Sequence, residues 1–153
     1  MYKILVVDDE SIEREGISFL IEKYKFPLEV AQATNGKTAL EYMRTHPIDI
    51  LLTDVKMPQM DGLELARHTF EKYPDVRILV FSAYGEFEFA KKAMAAQAVS
   101  YLLKPIEVDE FQRVMTQIIA QCDELSEKKK DEQQRGEEYR QQLLFRLVTG
   151  TGL

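Results

Sequence analysis

The sequence holds one cysteine in 153 residues, no apolar run near the length of a membrane span, and fewer bases than acids. Each scarcity excludes something. A lone Cys122 can form no internal disulfide. The apolar runs are too short for a transmembrane helix, and the Met1-Tyr2-Lys3 start carries neither the h-region nor the cleavage site of a signal peptide. With 20 Lys and Arg against 26 Asp and Glu the net charge is -6, so a wide face gripping a phosphate backbone is not expected. The expectation is a cytoplasmic protein without membrane contact and without DNA contact of its own.

What is present suffices for one core. The chain is 45% hydrophobic and 30% charged, which suits a single compact domain and disfavours disorder. Short β-branched apolar runs alternate five times with longer amphipathic ones, the pattern of βα units building a parallel sheet. Strands are expected over 2–7, 28–33, 48–53, 76–81 and 99–103. Helices are expected over 11–25, 37–45, 63–73, 87–97 and from Val108 onward. Pro27, Asn35-Gly36, Pro47, Pro58, Asp61-Gly62, Pro74 and Pro105 fall in the gaps. Asp61 with Glu64 three residues later resembles an N-cap with a reciprocal partner, so the third helix should start there.

The last helix runs on past the point where one domain needs it. Val108, Phe111, Met115, Ile118, Cys122 and Leu125 keep spacings of three and four, a narrow stripe of the kind a helix–helix seam uses. From Ser126 to Glu138 the stripe meets Lys129, Glu132 and Gly136, which argues against a stable coiled coil there. Tyr139, Leu143, Leu144, Leu147 and Val148 then form a second apolar cluster. Two readings stay open: a solvated charged helix with a frayed tail, or a dimerising or domain-connecting helix. Residues 121–148 hold seven acids and six bases, so the acidity belongs to the globular part.

In an open parallel sheet, ligands bind at the carboxyl ends of the strands. Here those ends read Asp8-Asp9-Glu10, Asp54, Ser82 and Lys104-Pro105. In the order 2-1-3-4-5, strands one and three are neighbours, which gathers Asp8, Asp9 and Asp54 with Ser82 and Lys104 beside them. At about 4 Å and an effective dielectric near 20, each like-charge pair costs roughly 4 kcal/mol. Lys104 alone cannot balance three carboxylates, and an all-oxygen set with room for waters suits Mg²⁺ or Mn²⁺ rather than zinc. A metal, a carboxylate, a hydroxyl and a lysine together suit phosphoryl transfer. Asp54, alone at its strand end, is the candidate nucleophile, and the paired Asp8 and Asp9 are candidate metal ligands. Any one Asp after a strand is more often a turn former or cap; the joint placement carries the reading.

Val6-Val7-Asp8-Asp9-Glu10, the run from Thr53 to Gly62, Phe81-Ser82-Ala83 and Tyr101-Leu102-Leu103-Lys104-Pro105 resemble the receiver domain of two-component response regulators. The resemblance covers about residues 2–120 and implies a flavodoxin-like, CheY-like (βα)5 doubly wound α/β fold with an extended C-terminal helix. It implies Asp54 as phosphoacceptor, with Mg²⁺ among Asp8, Asp9, Asp54 and the Lys56 backbone carbonyl. Ser82 and Lys104 would hold the phosphoryl oxygens, Tyr101 would turn inward on activation, and Pro105 would follow a cis peptide. A sensor histidine kinase would supply the phosphoryl group, and the phosphorylated chain would form a homodimer. The segment from Ser82 to Met94 resembles receivers that precede an AraC-type DNA-binding domain. That output domain is not expected in this chain, because nothing after residue 120 is long or basic enough for a helix-turn-helix pair. The division expected is a receiver domain over 1–122 and a helical linker over 123–153.

Other residues read plainly. His46 and His68 lack a second ligand at metal spacing and are expected at the surface. Cys122 is expected as a small apolar residue on the long helix. Tyr84, two positions past Ser82, resembles a residue that limits attacking water, or it is a partly exposed tyrosine. A phosphatase of the haloacid dehalogenase type would need Asp-x-Asp after strand one, where this chain has Asp8-Asp9-Glu10-Ser11. A non-phosphorylated adaptor working through the long helix would have no use for the acidic cluster.

Overall fold

The computed structural model of the chain describes residues 1–95, 97 and 99–150. Its elements are β1 (Tyr2–Val7), α1 (Ser11–Lys23), β2 (Leu28–Ala33), α2 (Gly36–Thr45) and β3 (Ile50–Asp54). They continue as α3 (Gly62–Lys72), β4 (Arg77–Ala83), α4 (Tyr84–Ala93), β5 (Val99–Lys104) and α5 (Val108–Thr149). All strand pairings are parallel, and the sheet order is β2-β1-β3-β4-β5, as expected for a doubly wound α/β fold.

The inner strands are apolar on both faces because helices cover both. Leu5, Val7, Leu51, Ile78 and Val80 share one cluster with Ala39 and Met43 of α2, Leu63, Leu65 and Ala66 of α3, and Ala90 of α4. The alternating residues Ile4, Val6, Ile50, Leu52, Leu79 and Phe81 are equally buried. By alternation they belong to the opposite face; Ile17 and Ile21 of α1 and Phe111, Met115 and Ile118 of α5 are buried as well. The edge strand β2 exposes Glu29 and Gln32, polar residues suited to a strand with one open edge.

Caps set several borders. Asp61 Oδ1 accepts the Glu64 N–H at 2.8 Å and starts α3 at Gly62, while Asn35 Oδ1 does the same for Thr38 at 2.8 Å and starts α2. Three elements, β4, α4 and β3, differ from the expected bounds in ways that bear on the site. β4 extends two residues past Phe81, so Ser82 lies inside the strand, paired in register with Leu103. α4 runs over Tyr84–Ala93 rather than 87–97: Ala83 is already extended at its N-cap, and the chain leaves the helix at Met94. β3 shifts likewise to Ile50–Asp54, which makes Asp54 its last residue. The peptide between Lys104 and Pro105 is cis.

By contact the chain divides into one compact unit over Met1–Ile119 and another over Ala120–Leu153. The second is helix as far as Thr149, so the failure of the apolar stripe at Ser126 does not end α5. The stretch is rich in Glu, Lys, Gln and Arg, which are strong helix formers, and it places Glu124 four residues before Lys128 and Asp131 four before Arg135. Gln134 Nε2 adds a bond to Glu138 Oε1 at 3.4 Å. From Glu127 on, the described side chains are exposed. A side chain at Gly136 would meet nothing within 4 Å. Gly136→Ala is therefore expected to stabilise the helix by about 0.5–1 kcal/mol, read as a rise in helical circular dichroism near its melting range.

Candidate functional site

The site forms where the sheet order reverses. β1 and β3 are hydrogen-bonded neighbours whose following segments part, and the ends of β4 and β5 lie alongside. Asp8 follows β1, Asp54 ends β3, Ser82 lies one residue before the end of β4, and Lys104 ends β5.

Asp8, Asp9 and Asp54 each offer a carboxylate oxygen within 4.8 Å of the others. Asp8 and Asp54 are buried and Asp9 is exposed. Lys104 Nζ reaches Asp54 Oδ2 at 3.3 Å, Asp8 Oδ2 at 3.4 Å and Glu13 Oε1 at 4.0 Å. Its Nζ also lies over the Phe81 ring, 4.4 Å from the centroid. One ammonium thus faces three clustered carboxylates, leaving an excess of two negative charges. Asp54 records the strain: its pKa rises from 3.8 to about 6, through burial first, against the opposing pull of Lys104, with the Asp8 charge adding to the rise. The Val55 N–H at 2.8 Å from Asp54 Oδ1 works against that rise and fixes the carboxylate. Burial alone would depress the Lys104 ammonium; Asp54, Asp8 and Glu13 outweigh it and hold its pKa above the usual value.

An all-oxygen set with surplus negative charge and one exposed member fits a hard divalent cation with waters completing its shell, and it lacks the sulfur and imidazole donors of a zinc site. Lys56, whose carbonyl the resemblance adds, lines the same open cleft of about 550 Å³ as Asp9, Glu10, Asp54, Pro58, Glu86 and Lys104.

Ser82 adds a buried polar group. Its side chain is fully buried, and Oγ has no hydrogen-bond partner among the described residues. A buried hydroxyl left without a partner costs about 1–3 kcal/mol, which a ligand oxygen could recover. Tyr101 is half-buried on β5, edge-on to Phe87 of α4 with centroids 6.1 Å apart, and burial raises its pKa. Tyr84 opens α4 and is 76% exposed. His46 stacks on Tyr42 at 4.3 Å and His68 is exposed; neither reaches the cluster.

Two contributors escaped the sequence reading. Gly62 approaches the phosphoacceptor strand so closely that a Cβ there would lie 1.8 Å from the Asp54 carbonyl oxygen, while its N–H bonds Val55 O at 2.8 Å. Its sequence signals were a turn dipeptide and its place at the end of the Thr53-to-Gly62 run, neither of which gave it this role. Arg14 Nη1 donates to the Asp8 carbonyl at 2.6 Å, and nothing in the sequence set it apart from the other arginines.

The family model described as the response regulator receiver domain matches residues 4–116. The uncharacterised transcriptional regulatory protein YesN of Bacillus subtilis is 41% identical over 122 residues, covering 79% of this chain and 33% of that protein. The chain thus spans a third of the length of this curated relative, and 45% of a response regulatory protein of Staphylococcus epidermidis. Among solved structures, the REC domain of AraT, a response regulator from Geobacillus stearothermophilus, is 37% identical. It gives a TM-score of 0.73, with 84% of this chain and 98% of that one covered. A two-component transcriptional regulator AraC from Clostridium phytofermentans is 34% identical with a TM-score of 0.73, with 81% and 97% covered. Among the described residues no helix is long and apolar enough to cross a membrane. Receiver domains are by family phosphoacceptors that bind Mg²⁺ at such an aspartate cluster, and with the match spanning β1 to α5 this chain belongs to the response regulator receiver family.

Proposed function

We propose that Asp54 accepts a phosphoryl group from the phosphohistidine of a sensor histidine kinase. The N–P bond of the donor breaks, a bond forms from an Asp54 carboxylate oxygen to phosphorus, and the imidazole leaves with the electron pair. The observation that carries this reading is the convergence of Asp54 with Asp8, Asp9 and Lys104 at the carboxyl ends of β1, β3 and β5. Mg²⁺ or Mn²⁺, held by Asp8, Asp9, Asp54 and the Lys56 carbonyl, would neutralise charge on the transferred oxygens. Lys104, already 3.3 Å from Asp54, pairs with one phosphoryl oxygen. The unpartnered Ser82 hydroxyl donates to another, ending its isolation.

The new charge then selects between two states of the domain. Ser82 moves toward the phosphoryl group and Tyr101 turns from its edge contact with Phe87 into the space released. The face of α4, β5 and α5 changes shape and pairs with a second copy. Residues 1–122 act as the receiver and 123–153 as the helical connection to a transcriptional output domain of AraC type, through which DNA is reached. The domain turns over nothing itself beyond slow loss of its own phosphoryl group.

The test is intact mass after incubation with acetyl phosphate, with and without Mg²⁺, followed by peptide mapping. One phosphoryl adduct on Asp54 that requires Mg²⁺ is expected. A folded wild type that takes up no phosphoryl group sinks the proposal and turns attention to an adaptor role for the long helix.

A further inference from the structure

Asp9 is the least supported member of the acidic cluster. Its side chain is exposed, and no described residue donates a hydrogen bond or ion pair to its carboxylate. The peptides on either side of it are held instead. The carbonyl of the Asp8–Asp9 peptide accepts from Arg14 Nη1 at 2.6 Å, and the N–H of the Asp9–Glu10 peptide donates to Asp8 Oδ1 at 2.9 Å. Arg14 is locked in turn. Its Nε donates to Gln32 Oε1 at 3.1 Å, Gln32 Nε2 donates to Ser18 Oγ at 3.4 Å, and Ser18 Oγ donates to the Arg14 carbonyl at 3.0 Å. This closed circuit ties α1 and the edge strand β2 to the turn carrying two of the three acids.

The target of the guanidinium is what separates a brace from a counter-charge. A cation serving only to balance the carboxylates would pair with one, as Lys104 does with Asp8 and Asp54. Arg14 directs its fork at a backbone carbonyl and a neutral amide. We infer that Arg14 is a positioning residue for divalent-cation binding: with Gln32 it holds the Asp8–Asp9 peptide so that the Asp9 carboxylate stays aimed at the ion. The inference rests on the reading that Asp8, Asp9 and Asp54 take the cation.

The two roles predict opposite signs. Removing a positive charge near a cation site tightens binding, whereas removing a brace loosens it. The test is Mn²⁺ titration followed by electron paramagnetic resonance of the free ion at constant ionic strength, with thermal unfolding in EDTA as the folding control. Arg14→Gln is expected to bind Mn²⁺ about tenfold more weakly than wild type, the usual cost of losing an outer support of a metal ligand. Arg14→Lys, which keeps the charge but not the fork, should bind at least as weakly as Arg14→Gln. Gln32→Ala changes no charge and should also weaken binding. Unchanged or tighter Mn²⁺ binding by folded Arg14→Gln overturns the inference. Should Arg14→Gln not fold, Gln32→Ala at an exposed edge position decides the matter alone, with unchanged binding counting against it. A wild type that binds Mn²⁺ yet takes up no phosphoryl group fails the proposed function without touching Arg14; a wild type that binds no Mn²⁺ overturns both.

Discussion

Asp54→Asn is expected to take up no phosphoryl group from acetyl phosphate and, in EDTA at pH 7.5, to unfold at a higher temperature than the wild type. The first result follows because an amide oxygen cannot serve as the anionic nucleophile. The second follows from the charge the native site confines. The folded-state pKa of Asp54 is raised from 3.8 to about 6, chiefly by burial, so the native state binds this proton more tightly than the unfolded chain does. Stability is therefore fullest below about 3.8 and is lost as pH rises through about 6, with the whole penalty in place at 7.5. A shift of that size corresponds to roughly 3 kcal/mol, and about 1–3 kcal/mol is the expected gain once water at the open cleft screens part of it. The gain should vanish near pH 4, where the wild-type carboxyl is itself neutral. Mg²⁺ should close the gap from the other side by binding the native wild type. Thermal unfolding of both chains at pH 4 and 7.5, with EDTA and with Mg²⁺, checks all four corners. A gain that persists unchanged at pH 4 would place its cause outside the titration of Asp54.

Gly62→Ala is expected to cost about 3–5 kcal/mol and lower the melting temperature by on the order of 10 °C. The added Cβ would lie 1.8 Å from the Asp54 carbonyl oxygen and 2.8 Å from its carbonyl carbon. Those atoms belong to the backbone, so no rotamer change relieves the overlap, and α3 must move off the end of β3. Because Gly62 N also donates to Val55 O at 2.8 Å, the displacement reaches the residue whose N–H fixes Asp54. Phosphoryl uptake should slow even in the fraction that folds. Gly16→Ala in α1 is the internal control: nothing lies within 4 Å of its Cβ position, and the same substitution there should be neutral or stabilising. Urea unfolding of the two variants separates them; equal midpoints would show that α3 yields without cost.

The sequence determined much of this protein by itself. Period-two and period-3.6 patterns are local, so β1, β2 and the cap at Asp61 were legible from residue type and spacing. The acids, hydroxyl and lysine at strand ends were legible too, because the rule that ligands bind at carboxyl ends turns a one-dimensional pattern into one place. The borders of β3, β4 and α4 were not. They depend on how far a neighbouring strand continues to offer hydrogen bonds, and Ser82 and Ala83 stay in β4 because Leu103 and Lys104 lie opposite them. The helix beyond Ser126, expected as a helical linker, is helical as far as Thr149: a broken apolar stripe speaks to partners, whereas helix formation there rests on local propensity and i,i+4 pairs.

Only the tertiary structure decided what supports the site. The unpartnered Ser82 hydroxyl, the rise of the Asp54 pKa, the contact of Gly62 with the Asp54 carbonyl and the Arg14 circuit all arise between residues far apart in the chain or from burial. Residue type carries the chemistry of a side chain; desolvation and close approach exist only once the sheet and helices have closed around it.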